Sequence, residues 1–87
     1  MKHRPICEIA RDIRKTWNKV NYAAEPYLQA MQSLNTIEDM YGQDDARSVI
    51  TYFLSNARSF RGPMAVILKS ELKQILKQPR TEFEGWT

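Results

Sequence analysis

Residues 46–57 read ARSVITYFLSNA, and this stretch decides the fold class. An α-helix completes one turn in about 3.6 residues, so residues three or four positions apart share one face. Asp44 and Asp45 precede the stretch, where a carboxylate caps free N–H groups and favours the positive end of a helix. The stretch therefore predicts an amphipathic helix whose apolar face consists of Ala46, Val49, Ile50, Phe53, Leu54 and Ala57.

The flanking segments carry the same periodicity. Downstream, Pro63 suits the first turn of a helix, where N–H groups are unpaired, and Pro79 fits the stop of a helix that ends near Lys77. Upstream, Pro5 opens a segment that extends to Val20. The predicted apolar face is Ala65, Leu68, Leu72, Ile75 and Leu76 in the downstream helix, and Ile6, Ile9, Ala10, Ile13, Trp17 and Val20 in the upstream one.

Residues 26–41 repeat the pattern less regularly, with Asn35 and Thr36 in the middle. They predict either one helix of four turns or two shorter helices broken at Asn35. Gly42 follows where a C-terminal helix cap belongs, and Asn21 is expected to close the first helix in a left-handed conformation. No useful length of chain alternates with period two, and the chain has no Asn-Gly or Asp-Gly turn, so no strand is expected.

The predicted fold class is all-α, a compact bundle of three to four short amphipathic helices with short connections. The chain has 87 residues, enough for one domain, which we place at residues 1–78, with a flexible C-terminal tail at residues 79–87. A single cysteine cannot form an internal disulfide, and no apolar leader follows the N-terminus. Both features indicate a cytoplasmic protein.

A series of residues along the chain carries a family resemblance: Glu8-Ile9-Ala10, Trp17, Val20, Pro26 to Met31, Leu34, Tyr41-Gly42, Asp45-Ala46, Tyr52 to Ala57, Arg61-Gly62 and Lys69 to Lys73. In this order the chain resembles a group of short proteins encoded by phages, prophages and other mobile elements of Gram-positive bacteria. The resemblance covers residues 6–76, and Phe60 and Pro63 depart from it. The group carries no assigned activity, so the resemblance implies a genomic context and no site.

Basic residues at helical spacing form two rows outside the apolar faces. They are Arg11, Lys15 and Lys19 in the first segment and Lys69, Lys73 and Lys77 in the last. Positions four residues apart are about 6 Å apart along a helix axis, and such rows can contact phosphates of a nucleic acid. Nucleic-acid binding through these six residues is therefore the alternative function, against the reading that any amphipathic helix is polar outside.

Aromatic and arginine side chains at the segment ends suggest a protein-binding surface. Tyr, Trp and Arg are enriched at the energetic centres of interfaces. Phe60 stands between Arg58 and Arg61, and we expect it to protrude as an anchor, with Tyr52 beside it. The other reading is that Phe60 folds back and covers the end of the helices.

Catalytic and metal sites are not expected. His3 and Cys7 are four residues apart, but Pro5 separates them and no third group orients the histidine. A structural zinc site needs four ligands, and this pair supplies two. The acidic pairs at residues 38–39 and 44–45 lack the spacing of a calcium loop.

We therefore expect a non-enzymatic protein without a cofactor that binds a macromolecular partner in a bacterial host. The partner would be a host or phage protein or a protein–nucleic-acid complex. The mobile-element resemblance makes inhibition of a bacterial defence system such as CRISPR one such role.

Overall fold

The fold is set by four helices and one short β-hairpin, which a computed structural model describes over residues 4–78. The chain is mostly α-helical, and the expectation of an all-α fold is wrong at the hairpin. The predicted tail at residues 79–87 lies outside the described residues. The elements are α1 (Ile6–Thr16), α2 (Glu25–Met31), β1 (Met40–Tyr41), β2 (Asp44–Asp45), α3 (Ala46–Ser55) and α4 (Pro63–Leu76).

The helices share one apolar core. Helix α1 contacts α2 and α4, and α3 contacts the same two helices. The predicted apolar faces are confirmed, because their residues are buried in this core, with Val20, Leu54 and Leu76 half-buried at its edge. The largest fully buried side chains are Phe53, Phe60, Ile6, Ile9, Ile13, Leu28, Met31, Leu34, Ile50, Leu68, Leu72 and Ile75. Between residues 4 and 78, no helix is long and apolar enough to cross a membrane.

The predicted starts of α3 and α4 are confirmed. Asp45 is the N-cap of α3, and its side chain accepts a hydrogen bond from the Ser48 N–H at 2.8 Å. Pro63 stands in the first turn of α4. Gly62 precedes it with φ +112° and ψ 174°, a backbone conformation that is open essentially only to glycine.

Helix α1 ends four residues earlier than predicted. The backbone becomes extended at Trp17, and the ring of Trp17 is still buried in the core. Asn21 is not left-handed, because no non-glycine residue between 4 and 78 has a positive φ. Its carboxamide instead accepts from the Ala24 N–H and donates to the Asn56 carbonyl, each at 2.8 Å. The loop before α2 is thereby fastened to the end of α3.

The segment at residues 26–41 forms neither the long helix nor the two helices predicted. Helix α2 stops at Met31, and turns follow. The carboxylate of Asp39 closes one turn by accepting from the N–H groups of Asn35 (2.7 Å) and Thr36 (3.2 Å). These hydrogen bonds lower the pKa of Asp39, the one from Asn35 more strongly.

Gly42 begins the tight turn of the hairpin and does not cap a helix. Met40 pairs with Asp45 and Tyr41 with Asp44 in antiparallel register, which leaves a two-residue loop. Gly42 has φ +62°, and Gln43 has no positive φ. A positive φ at the first of the two loop residues and not at the second, with glycine at the first, is the pattern of a type II′ hairpin turn.

Candidate functional site

The row of Lys69, Lys73 and Lys77 on α4 is intact in the structure, and we call it the lysine row. Helix α4 continues to Leu76, and Lys77 keeps helical backbone angles as its C-terminal cap. The predicted spacing of four residues is therefore real, at about 6 Å per step along the axis. Lys73 and Lys77 are exposed and Lys69 is half-buried.

Lys69 has the most perturbed environment of the three. Its Nζ lies 5.7 Å from the centre of the Phe60 ring, within the range of a cation–π interaction. Partial burial lowers the pKa of Lys69, and the nearby charges of Lys73 and Arg61 lower it further. Among residues 4–78, two cations and no carboxylate contribute to this shift.

Within the described part of the chain, the segments that lead to and form the lysine row contain few acids. No Asp or Glu occurs from Ala46 to Ser70, a stretch that covers α3, the loop after it and the first half of α4. Glu71 is the one acid in α4, and Arg4 holds it in a bidentate pair with distances of 2.8 and 2.9 Å. Arg4 also binds Asp12 of α1 at 2.8 Å, so Glu71 is directed towards α1. These two carboxylates raise the pKa of Arg4.

Arg47 contributes a further cation from α3, and it has a structural task. Its guanidinium donates to the Leu76 carbonyl at 2.8 Å and to the Gln78 carbonyl. Carbonyls at the C-terminal end of a helix lack backbone partners, and a cation there complements the helix dipole. Arg47 thus ties α3 to the end of α4 next to Lys77.

The predicted row on α1 is only partly present. Arg11 and Lys15 are exposed on α1, but Lys19 lies beyond the helix end at Thr16, so the spacing is broken. Arg14 is paired with Glu25 at 2.9 Å and bonds Gln32. A wide-open groove of about 250 Å³ is lined by Arg11, Arg14, Lys15 and Gln32.

The expectation that Phe60 protrudes is wrong. Its side chain is 2% exposed and its ring stacks on Trp17, with centroids 5.0 Å apart and planes at 16°. Trp17 in turn meets Phe53 edge to face at 6.2 Å. The α3–α4 loop returns Phe60 to the core because its ring covers an apolar indole that would otherwise face water. The ring is not available to a partner in this conformation.

The other residues of the predicted protein-binding set remain on the surface. Arg58 and Arg61 are exposed in the α3–α4 loop, and the Arg61 Nε donates to the Arg58 carbonyl at 3.3 Å. Tyr52 is 51% exposed and packs against Tyr27, with ring centroids 5.5 Å apart. The structure thus places Arg61 with the lysine row and Tyr52 beside α2.

An exposed group of apolar side chains on α4 was missed by sequence reasoning. Val66 is 69% exposed, Ile67 52% and Met64 44%, and we call these three the apolar patch. The signal was present in the sequence, because the consecutive run from Met64 to Leu68 cannot fit on one helix face. Only Ala65 and Leu68 of that run are buried.

Nucleophilic and metal-binding groups are sparse. The Cys7 Sγ lies 3.4 Å from the Asn35 Oδ1 and is half-buried, while His3 lies outside the described residues. Between residues 4 and 78, no three His, Cys, Asp or Glu side chains are close enough to hold a metal ion. Comparison of the chain with protein-family models, curated proteins and solved structures finds no match.

Proposed function

We propose that this protein acts by non-catalytic binding of a macromolecular partner through the solvent face of α4 and the loop before it. One observation carries the proposal: an intact lysine row lies beside an apolar patch, and no acid occurs from residue 46 to residue 70. A surface rich in cations attracts an anionic partner. Exposed apolar side chains grouped together are typical of protein-binding surfaces.

In this proposal the helices form a compact bundle that presents one binding face and requires no cofactor. The partner is a bacterial host or phage protein, or a protein–nucleic-acid complex, in the cytoplasm. The resemblance to short phage and mobile-element proteins favours a role as an accessory factor. It is also the sole support for inhibition of a defence system such as CRISPR.

Direct nucleic-acid binding is the second candidate, and the spacing of the lysine row favours it. Three lysines at steps of about 6 Å along α4 can each approach a phosphate. Arg11 and Lys15 on α1 offer two further cations. The apolar patch has no role in that function.

The test uses two triple variants with the same change in charge. One carries Lys69→Glu, Lys73→Glu and Lys77→Glu, and the matched control carries Arg11→Glu, Lys15→Glu and Lys19→Glu. Each purified protein is immobilised and exposed to a lysate of a Gram-positive bacterium, with and without nuclease treatment, and captured proteins are identified by mass spectrometry. Circular dichroism verifies that each variant is folded.

We expect the unmodified chain and the control to capture the same protein and the α4 variant to lose it. Equal capture by all three chains would refute the assignment of the binding face to α4. Capture that disappears with nuclease would favour the second candidate. In that case a labelled random-sequence DNA duplex should bind with an affinity that falls steeply as salt rises.

A further inference from the structure

The apolar patch is not required by the fold. Helix α4 anchors itself through Ala65, Leu68, Leu72 and Ile75, each at most 2% exposed. The three patch residues contribute nothing to the core cluster. Three large apolar side chains within four residues of one helix thus stay in water, which is unfavourable unless another molecule covers them.

Cations border one side of the apolar patch. Lys69 and Lys73 lie three and seven residues after Val66, on its side of the helix, and Arg61 is exposed just before α4. Ile67 lies on the other side, four residues before Glu71, and Arg4 holds that acid. An occupant must therefore bring apolar groups for the patch and negative charge on the side of Val66.

We infer that the apolar patch is a docking site for an acidic amphipathic helix of a partner protein; this inference rests on the proposed function and specifies the partner's chemistry. A helix pairs its own backbone groups, so it can lie on α4 through side chains alone. An extended segment that binds by strand addition would need a free strand edge. The hairpin between residues 40 and 45 precedes α3, whereas the patch follows the opposite end of α3.

A nucleic acid fits the apolar patch poorly. Its phosphates would match Arg61 and the lysine row, but its charged backbone offers nothing apolar to cover Val66 and Ile67. Covering those side chains with charged groups removes the water from both without a compensating contact. An acidic helix with apolar residues at intervals of three and four satisfies both requirements.

The experiment is a selection of displayed random 16-residue peptides on the full chain. Binders are then measured against Val66→Ser/Ile67→Ser, a polar change at exposed positions that leaves the charge unaltered. Tyr22→Ser is the matched control, since Tyr22 is 95% exposed and belongs to the loop before α2 rather than to α4. Enriched peptides should be acidic, with apolar residues at helical spacing. Their affinity should fall at least tenfold for the patch variant and stay unchanged for the control.

Four results would overturn the inference. The first three are enrichment of basic or unpatterned peptides, equal affinity for the patch variant, and perturbation of the Val66 and Ile67 methyl resonances by a random DNA duplex. The fourth is a concentration-dependent dimer that the patch variant abolishes, which would make a second copy the occupant.

This inference and the proposed function can fail separately. If the α4 charge reversal leaves lysate capture unchanged, the proposed function fails. If the charge reversal abolishes capture but Val66→Ser/Ile67→Ser does not, only the docking site for an acidic helix fails.

Discussion

Replacing Phe60 by alanine should lower the free energy of unfolding by about 3–4 kcal/mol. Phe60 is 2% exposed, and truncation of a buried phenylalanine costs about 3–5 kcal/mol from lost burial and the cavity left behind. Loss of the stack on Trp17 contributes about 0.5–1.5 kcal/mol to that figure. The site lies in a loop at the end of α3, where neighbours can partly fill the cavity, so the lower part of the range applies.

A loss of this size is easily measured. A chain of 87 residues has a total stability of about 4–13 kcal/mol. At about 4–8 °C per kcal/mol, the Tm of Phe60→Ala should fall by roughly 12–30 °C. Urea unfolding followed by circular dichroism should show a matching decrease in midpoint with an unchanged slope.

The control is Val66→Ala, which removes an apolar side chain that is 69% exposed. It should change the free energy of unfolding by no more than about 0.5 kcal/mol. Phe60→Leu restores apolar volume without the ring and should recover more than half of the loss. If Phe60→Ala unfolds at the same urea concentration as the unmodified chain, Phe60 is not a core residue, and the protruding anchor would return as an explanation.

Gly62→Ala should lower the free energy of unfolding, measured by thermal unfolding, by about 1–3 kcal/mol, because φ +112° suits glycine alone. An added Cβ meets no atom within 4 Å, so the loss comes from backbone strain and not from a clash. Asp45→Ala should cost about 1 kcal/mol through loss of the cap on the Ser48 N–H, and Asp45→Asn should retain most of the stability in the same urea titration. Lys73→Gln should raise the pKa of Lys69 by removing a nearby cation, and the ¹³Cε chemical shift of Lys69 against pH measures it; no change would show that Lys73 does not lower that pKa. The folded-state pKa of Lys69 lies below its unfolded value, so the unfolded chain binds more protons between these two pKa values. The free energy of unfolding therefore rises as the pH increases from the folded-state pKa of Lys69 to its unfolded value.

The helical part of the fold is predictable because each apolar face repeats at one period over two or more turns. Phe53 and Leu72 lie at the centres of such faces and are fully buried. The starts of α3 and α4 are equally legible, since Asp45 and Pro63 act through local chemistry that needs no distant partner.

The hairpin was not predictable from the same signals. Its strands are two residues long, too short to show an alternating pattern. Met31, Leu34 and Ile37 are buried at helical spacing even though the chain leaves the helix after Met31. Spacing therefore does not distinguish a helix from turns that bury the same side chains.

The candidate site likewise has a part that the sequence predicts and a part that it does not. The lysine row follows from the periodicity of α4, which one sequence segment determines. The burial of Phe60 depends on Trp17, which lies 43 positions earlier and meets Phe60 only after α1 has packed. The arginines on either side of Phe60 give no information about a contact with a residue so distant in the sequence. The separation of Lys19 from Arg11 and Lys15 likewise depends on where α1 ends.

The pairing of α1 with α4 has a consequence for synthesis of the chain on the ribosome. Helix α1 packs against α2 and α4, and α4 is the last of these to be synthesised. Arg4 donates hydrogen bonds to Glu71, which lies 67 positions later in the chain. At about 5–20 residues per second, the 14 residues of α4 take about 1–3 s to add. During that interval the nascent chain exposes the side of α1 that α4 covers, so a stall before Pro63 leaves it open to chaperones and proteases.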